Sequence, residues 1–417
     1  LVGSEMCIRD RNNSAPRSIW FLAIALAFVG AGQSTMFILI PPEVRNLGFN
    51  EFQVGLIFSI SAVAWMISSP FWGDLSDKFG RHWIFLVGMI GFAISLILIT
   101  TLIESARQLI IPLYLVLPLL ILTRLINGLF GSAVRPAAGG RIADITTPEL
   151  RTAGFARFDA GWQFGVIVGP IFVGLVLWLS DGDFSLPFLI IGLAGLIAGY
   201  MNFRLMKNSH VDTEVDKSVK KINYLDERIW PSMFVAAFMG MSNATMVLTA
   251  SLYFQDLSPE IDNIYPYVAF GFSLIAISGL LTQLFLVDRL RLSSYLLLRV
   301  GPLIMLVSFL GIAFAPSIYV LFVYLTLHGV GSALTRSGNV AQLSLSVNKN
   351  EQGLINGLLG GVMPLGHLLT PIITMPLYMI APNYPFIFIA ILSVLIIMFI
   401  NLSKKFTNKL HAGEINV

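Results

Sequence analysis

Gly73-Asp74-Leu75-Ser76-Asp77-Lys78-Phe79-Gly80-Arg81-His82 lies between two apolar runs, residues 52–72 and 83–103. It reads as a tight polar turn, with Gly73 allowing close helix approach and Gly80 permitting a positive φ. Each flanking run has the length, roughly 20 residues, that carries a helix across hydrocarbon. The same alternation of long apolar run and short polar joint extends through the whole chain. Of its 417 residues 56% are hydrophobic and 12% charged, where a soluble globular chain carries about 25% charged residues. The mean hydropathy is +0.80. That composition excludes a soluble enzyme, a disordered chain and, with Cys7 as the one cysteine, a disulfide scaffold. A net charge of +3 does not argue for nucleic acid.

Twelve runs are long enough to span: residues 19–40, 52–72, 83–103, 109–140, 155–179 and 184–203, then 229–254, 265–287, 294–315, 318–343, 353–380 and 384–402. Short alternating segments of a β-barrel are not the pattern here. Lys and Arg favour the cytoplasmic side. Placing both termini inside puts Lys78, Arg81, Arg141, Arg151, Arg289, Arg291 and Lys404 there and leaves Arg45 and Arg107 outside, beside Asp181, Asp183, Asp256, Glu260 and Asp262. The expected organisation is all-α and integral to the membrane. A non-native leader (1–11) precedes an N-terminal six-helix bundle (12–203). A cytoplasmic linker (204–228), a C-terminal six-helix bundle (229–403) and a cytoplasmic tail (404–417) follow.

The halves repeat. Gly131-Ser132-Ala133 in the fourth span is matched by Gly331-Ser332-Ala333 in the tenth, and Gly165, Gly169 and Pro170 in the fifth by Gly366, Thr370 and Pro371 in the eleventh. Six spans return the chain to its starting side, so the halves run in parallel and a substrate site is expected between them at mid-depth.

With these features in hand, the chain resembles the major facilitator superfamily, and within it the twelve-span drug/proton antiporters. The loop from Gly73 to Arg81 is similar to the signature loop of that family, with Gly73, Asp77, Lys78, Gly80 and Arg81 in register. Arg124-x-x-x-Gly128-x-x-Gly131 resembles its span-four arginine motif, and Asp144-x-x-x-Pro148-Glu149-x-Arg151 the loop that follows. Gly165-x-x-x-Gly169-Pro170-x-x-x-Gly174 is similar to the span-five motif of proton-coupled exporters. The resemblance implies an inner gate of Asp77, Arg81 and Asp144, with Asp77 near Gly353, and a cavity role for Arg124. The chain departs from the drug exporters in offering only Gln33, Ser34 and Thr35 as polar groups in span one.

Ionisable groups inside spans are costly and are candidates for function. Asp159 reads as the one carboxylate well inside a span. It lies on the order of 6–12 Å up its helix, a depth matching Arg135 on the next. An Arg135–Asp159 pair can neutralise two buried charges, or Asp159 can exchange a proton or gate the inner mouth. Arg124, Gln33, Asn243, Arg336 and His328 are the candidate cavity residues. Gly165, Gly169, Pro170 and Gly174 read as helix packing.

The sequence thus points to a monomeric secondary transporter in the inner membrane of a bacterium. Its expected partners are a small organic substrate, lipid and, in coupled export, protons, with neither cofactor nor metal. A uniporter or importer of an anionic metabolite and a non-transporting receptor or scaffold are the rival readings.

Overall fold

The computed structural model describes residues 18–207, 226–290, 292–347, 351, 355, 358–359 and 361–402. The expected leader, most of the linker and the tail lie outside them. Among the described residues the chain is helical, without strands. Its α-helices are α1 Ser18–Asn46, α2 Glu51–Phe79, α3 Arg81–Arg107, α4 Leu113–Gly131, α5 Val134–Ile145, α6 Pro148–Leu179, α7 Ser185–Lys207, α8 Trp230–Leu257, α9 Tyr265–Leu281, α10 Ser294–Ala313, α11 Ile318–Leu345, α12 Leu365–Ile380 and α13 Tyr384–Leu402. Among the described residues eleven segments are long and apolar enough to cross a membrane, α4 and α5 forming one of them.

Three departures from the expected spans have local causes. The fourth breaks at Ser132-Ala133 because Pro136, in the first turn of α5, has no N–H to give the Ser132 carbonyl. The eighth ends in a π-helical turn, Thr282–Arg289, a wider winding that shifts the side chains after it. The eleventh was expected over 353–380; its described helix covers Leu365–Ile380 after a turn at Met363-Pro364, and Ile355, Leu358, Leu359, Gly361 and Val362 before that turn are helical too.

The first helix departs in the other direction. It runs through Pro41 and Pro42 to Asn46, so Glu43, read from the sequence as part of an outer loop, is helical and 1% exposed. Glu43 thus lies within the last turn of α1, three residues before its end.

The chain divides into two compact units. The first comprises Leu1–Met36 and Ile60–Val219. In it α3 packs on α4 and α7, and α1 crosses α6 at backbone contact. A Cβ on Gly165 would stand 1.9 Å from the Ala27 carbonyl oxygen, one on Gly161 2.1 Å from that of Ala23, and one on Gly169 2.1 Å from Ser34 Oγ. Small residues four apart present a flat surface to a neighbouring backbone, and in lipid such close contact replaces the missing hydrophobic drive. Asn202 of α7 ties to α1 by donating to the Phe21 carbonyl at 2.9 Å.

The second unit comprises Phe37–Ser59 and Lys220–Val417, so the ends of α1 and α2 nearest their shared turn belong with the C-terminal helices. Here α11 packs on α9 and α10, α10 on α13, and α12 on α8. The crossing of α8 and α12 repeats the glycine device: a Cβ on Gly366 would lie 2.1 Å from the Gly240 carbonyl oxygen. Arg228, at the start of this unit, is held to Asp226 and Glu351, and those carboxylates keep its pKa above the ordinary arginine value.

Gly165→Leu should force α1 and α6 apart, an overpacking that costs about 1–3 kcal/mol. Thermal denaturation of the purified protein should show a clear loss, whereas Gly174→Leu, at a half-buried position, should lose less. Equal melting of the two variants would refute the backbone-contact account.

Candidate functional site

In the first unit, Gly80 makes the turn between α2 and α3 with φ 97°, a conformation that strains any side chain with a Cβ. That turn carries Arg81 back over its own loop. Its guanidinium pairs with Asp77, donates to Ser76 Oγ at 3.2 Å and reaches Asp144 Oδ2 at the end of α5 at 3.3 Å. Arg81 also lies flat on Gly140, where any Cβ would meet the guanidinium. The expected trio of Asp77, Arg81 and Asp144 is thus one cluster. Lys78 is exposed, and Gly73 has only the Pro136 side chain within 4 Å of a would-be Cβ. Gly353, expected beside Asp77, lies outside the described residues.

Arg124 sits in α4, 2% exposed. Its guanidinium lies against the Met36 sulfur and donates to Asn127 Oδ1 at 3.3 Å. Asn127, one turn on, donates to Ser95 Oγ of α3 at 2.8 Å, and Ser95 donates to the Phe92 carbonyl. A relay through α4 and α3 therefore orients this buried cation. Asn127 was not singled out from the sequence; its i+3 spacing from Arg124 was the available signal. Gln33 is half-buried.

Arg135 and Asp159 meet at 2.9 Å, with side-chain exposures of 38% and 55%. The guanidinium also lies 5.1 Å above the Trp162 ring. The pair expected from matching depths is present, but it is open rather than buried.

In the second unit His328 is 3% exposed, packed edge-on against Phe309 with ring centroids 5.0 Å apart. Its Nδ1 has no hydrogen-bond partner among the described residues. Arg336 and Asn243 are exposed. Gln283, in the π-helical turn, accepts from Ser337 Oγ of α11 at 2.6 Å, one residue from Arg336. Among the described residues no group of three or more His, Cys, Asp and Glu could hold a metal ion.

Within the Arg81 cluster the two acids should not be equivalent. Asp144 is 16% exposed and Asp77 62%, and solvent screens the more exposed pair. Asp144→Asn should lower thermal stability and transport more than Asp77→Asn does, because the less screened pair contributes more. Solute flux in vesicles compares them; a larger effect of Asp77→Asn would overturn the ordering.

A family model described as Major Facilitator Superfamily matches residues 22–302. The chain is 26% identical over 376 residues to Multidrug resistance protein 1 of Bacillus subtilis (strain 168), covering 87% of this chain and 90% of that protein. It is 27% identical over 195 residues to Quinolone resistance protein NorA of Staphylococcus aureus, covering 47% of this chain and 46% of that one. Among solved structures, a bacterial homolog of the human lysosomal transporter Spinster, inward-facing and unoccupied, superposes with TM-score 0.72 at 14% identity, over 94% of this chain and 97% of that chain. The nucleoside transporter NupG does so with TM-score 0.70 at 13% identity, over 92% and 99%. These two likenesses concern the fold. A multi-pass helical chain, a turn built on Gly80 and Arg81, and a family match over most of its length agree: the chain is a transporter of the Major Facilitator Superfamily.

Proposed function

We propose that this chain exports small organic solutes across the bacterial cytoplasmic membrane by alternating access, driven by proton entry. The observation that carries the export reading is the likeness, over 87% of the chain, to a protein named for multidrug resistance. On this reading twelve spans form two parallel six-helix repeats with both termini in the cytoplasm. The matching glycine crossings of α1 with α6 and of α8 with α12 support the repeat.

Arg124, Gln33, Asn243 and Arg336 line the route on this reading, with His328 behind it. The hydrogen bonds from Arg124 through Asn127 to Ser95 support a fixed, oriented cation, which suits a solute rich in acceptors. Arginine keeps its proton, so it orients a solute but cannot carry the coupling. Asp159 can. Its exposure and its pairing with Arg135 support a carboxylate that water reaches, and one that trades this partner for an apolar surround binds a proton in one state and releases it in the other. Gly161, Gly165 and Gly169 supply the smooth seam along which α6 can shift on α1.

Two measurements test this. In proteoliposomes with an imposed pH gradient, accumulation of a quinolone or an unrelated apolar dye should fall at least tenfold in Asp159→Asn, while exchange of solute without a gradient persists. Undiminished gradient-driven accumulation eliminates Asp159 as carrier. Arg124→Ala should abolish both modes with the protein still inserted, and retained exchange would remove Arg124 from the solute's path.

A further inference from the structure

The face that α10 turns away from its neighbours carries a single cation. Its buried face, with Leu297, Leu298, Gly301 and Met305, lies on α11, where a Cβ on Gly338 would stand 2.9 Å from Leu297 Cβ and one on Gly301 would meet Thr335. The opposite face is an exposed stripe of Leu296, Arg299, Leu303, Val307, Leu310 and Phe314. These residues are three and four apart, the spacing that keeps side chains on one side of a helix. Five of the six are large and apolar, as a surface against acyl chains requires. Arg299 is the exception.

The start of the helix sets the depth of that charge. Ser293 Oγ accepts from the Leu296 N–H at 3.3 Å and caps α10, and Ser294 Oγ donates to Gln342 Oε1 of α11 at 3.2 Å. Arg299 follows Ser294 by five residues, about 7.5 Å along the axis. Side chains on a helix lean toward its N-terminus, and this one does: the guanidinium lies 4.0 Å from the centroid of the Tyr295 ring, one turn back. Its charge therefore sits at the rim of the apolar stripe, the level of lipid headgroups. Arg289, exposed at the end of the π-helical turn, precedes α10 and is a second cation at this end.

A cation held over the face of a ring keeps its N–H donors. Among the described residues Arg299 has no carboxylate or other acceptor for them. A guanidinium offers five donors in a planar fork that matches two oxygens of a phosphate.

We propose that Arg299, steadied by Tyr295, binds the phosphodiester of an anionic phospholipid whose acyl chain lies along Leu303 and Val307. The apolar stripe directly beneath the charge selects a lipid over a free anion, which would touch the cation alone. Net negative charge is selected because a zwitterionic headgroup brings its own ammonium to the phosphate, whereas Arg299 and Arg289 both attract an uncompensated anion. The site is on the outer face of one unit and does not depend on what the chain transports or in which direction.

The test reads lipid occupancy at the stripe. Leu303→Cys in a Cys7→Ser background leaves one thiol, one turn beyond Arg299, for a bimane label. The full chain is placed in phosphatidylcholine nanodiscs containing a small fraction of nitroxide-labelled phosphatidylglycerol or, separately, nitroxide-labelled phosphatidylcholine. Half-quenching should need about fivefold less of the glycerol lipid, the effect of roughly one cation near a charged headgroup. Arg299→Gln should abolish this difference, Arg299→Lys should keep part of it, and Tyr295→Leu should weaken it. The same label on Phe314→Cys, at the far end of the stripe, should show no preference. Equal quenching by the two lipids at position 303 of the parent would overturn the proposal without recourse to any Arg299 variant. So would a preference that survives Arg299→Gln, or one equally strong at position 314, which would mark general enrichment around the protein.

Discussion

Hydrocarbon offers no hydrogen bonds, so every backbone N–H and C=O within it must find a partner in the protein. The helical content of the described residues follows from that constraint, as does the near absence of charge along the spans. It also accounts for what breaks them. Pro136 and Pro364 lack the donor that the preceding turn needs, and at both the helix restarts rather than bends. Pro41, Pro42 and Pro170 are carried inside helices, where neighbouring backbone and side chains can take up the freed carbonyls.

Because apolar side chains gain nothing from meeting each other instead of lipid tails, assembly has to come from close packing. The glycines on α6 supply it against α1, and Gly240 with Gly366 supplies it between α8 and α12. Each crossing is tight enough that one methyl group would displace a backbone. The large apolar residues left exposed, such as Ile67, Ile197, Val323 and Ile372, are where lipid would be. They need no partner.

Charge is then placed by what water can reach. Arg81, Arg135 and Arg45 each hold a carboxylate at a site that is partly exposed, where the pair adds little stability and can be exchanged. Arg124 is the contrast: almost fully buried, and held by an amide and a hydroxyl in series with it. A transporter needs both kinds. Contacts that form and break cannot be strong, and a group that orients solute cannot wander.

The membrane class was legible in the sequence because a span is a local property: roughly 20 apolar residues suffice, whatever they pack on. The Asp77–Arg81–Asp144 grouping was legible because two of its members share one short turn. The Arg135–Asp159 pair was legible because helix rise converts residue number into depth. What the sequence could not say is which way a side chain faces. Asp159 and Arg135 read as buried by depth, yet they are open, because exposure depends on what stands opposite. The first span was read as ending at residue 40, yet its helix runs on through Pro41 and Pro42 to Asn46. The joining of Arg45 to Asp256 and Tyr378, across more than two hundred residues of chain, is wholly a product of the fold. Residues that far apart meet only when helices pack, and periodicity records which face is apolar without recording its neighbour.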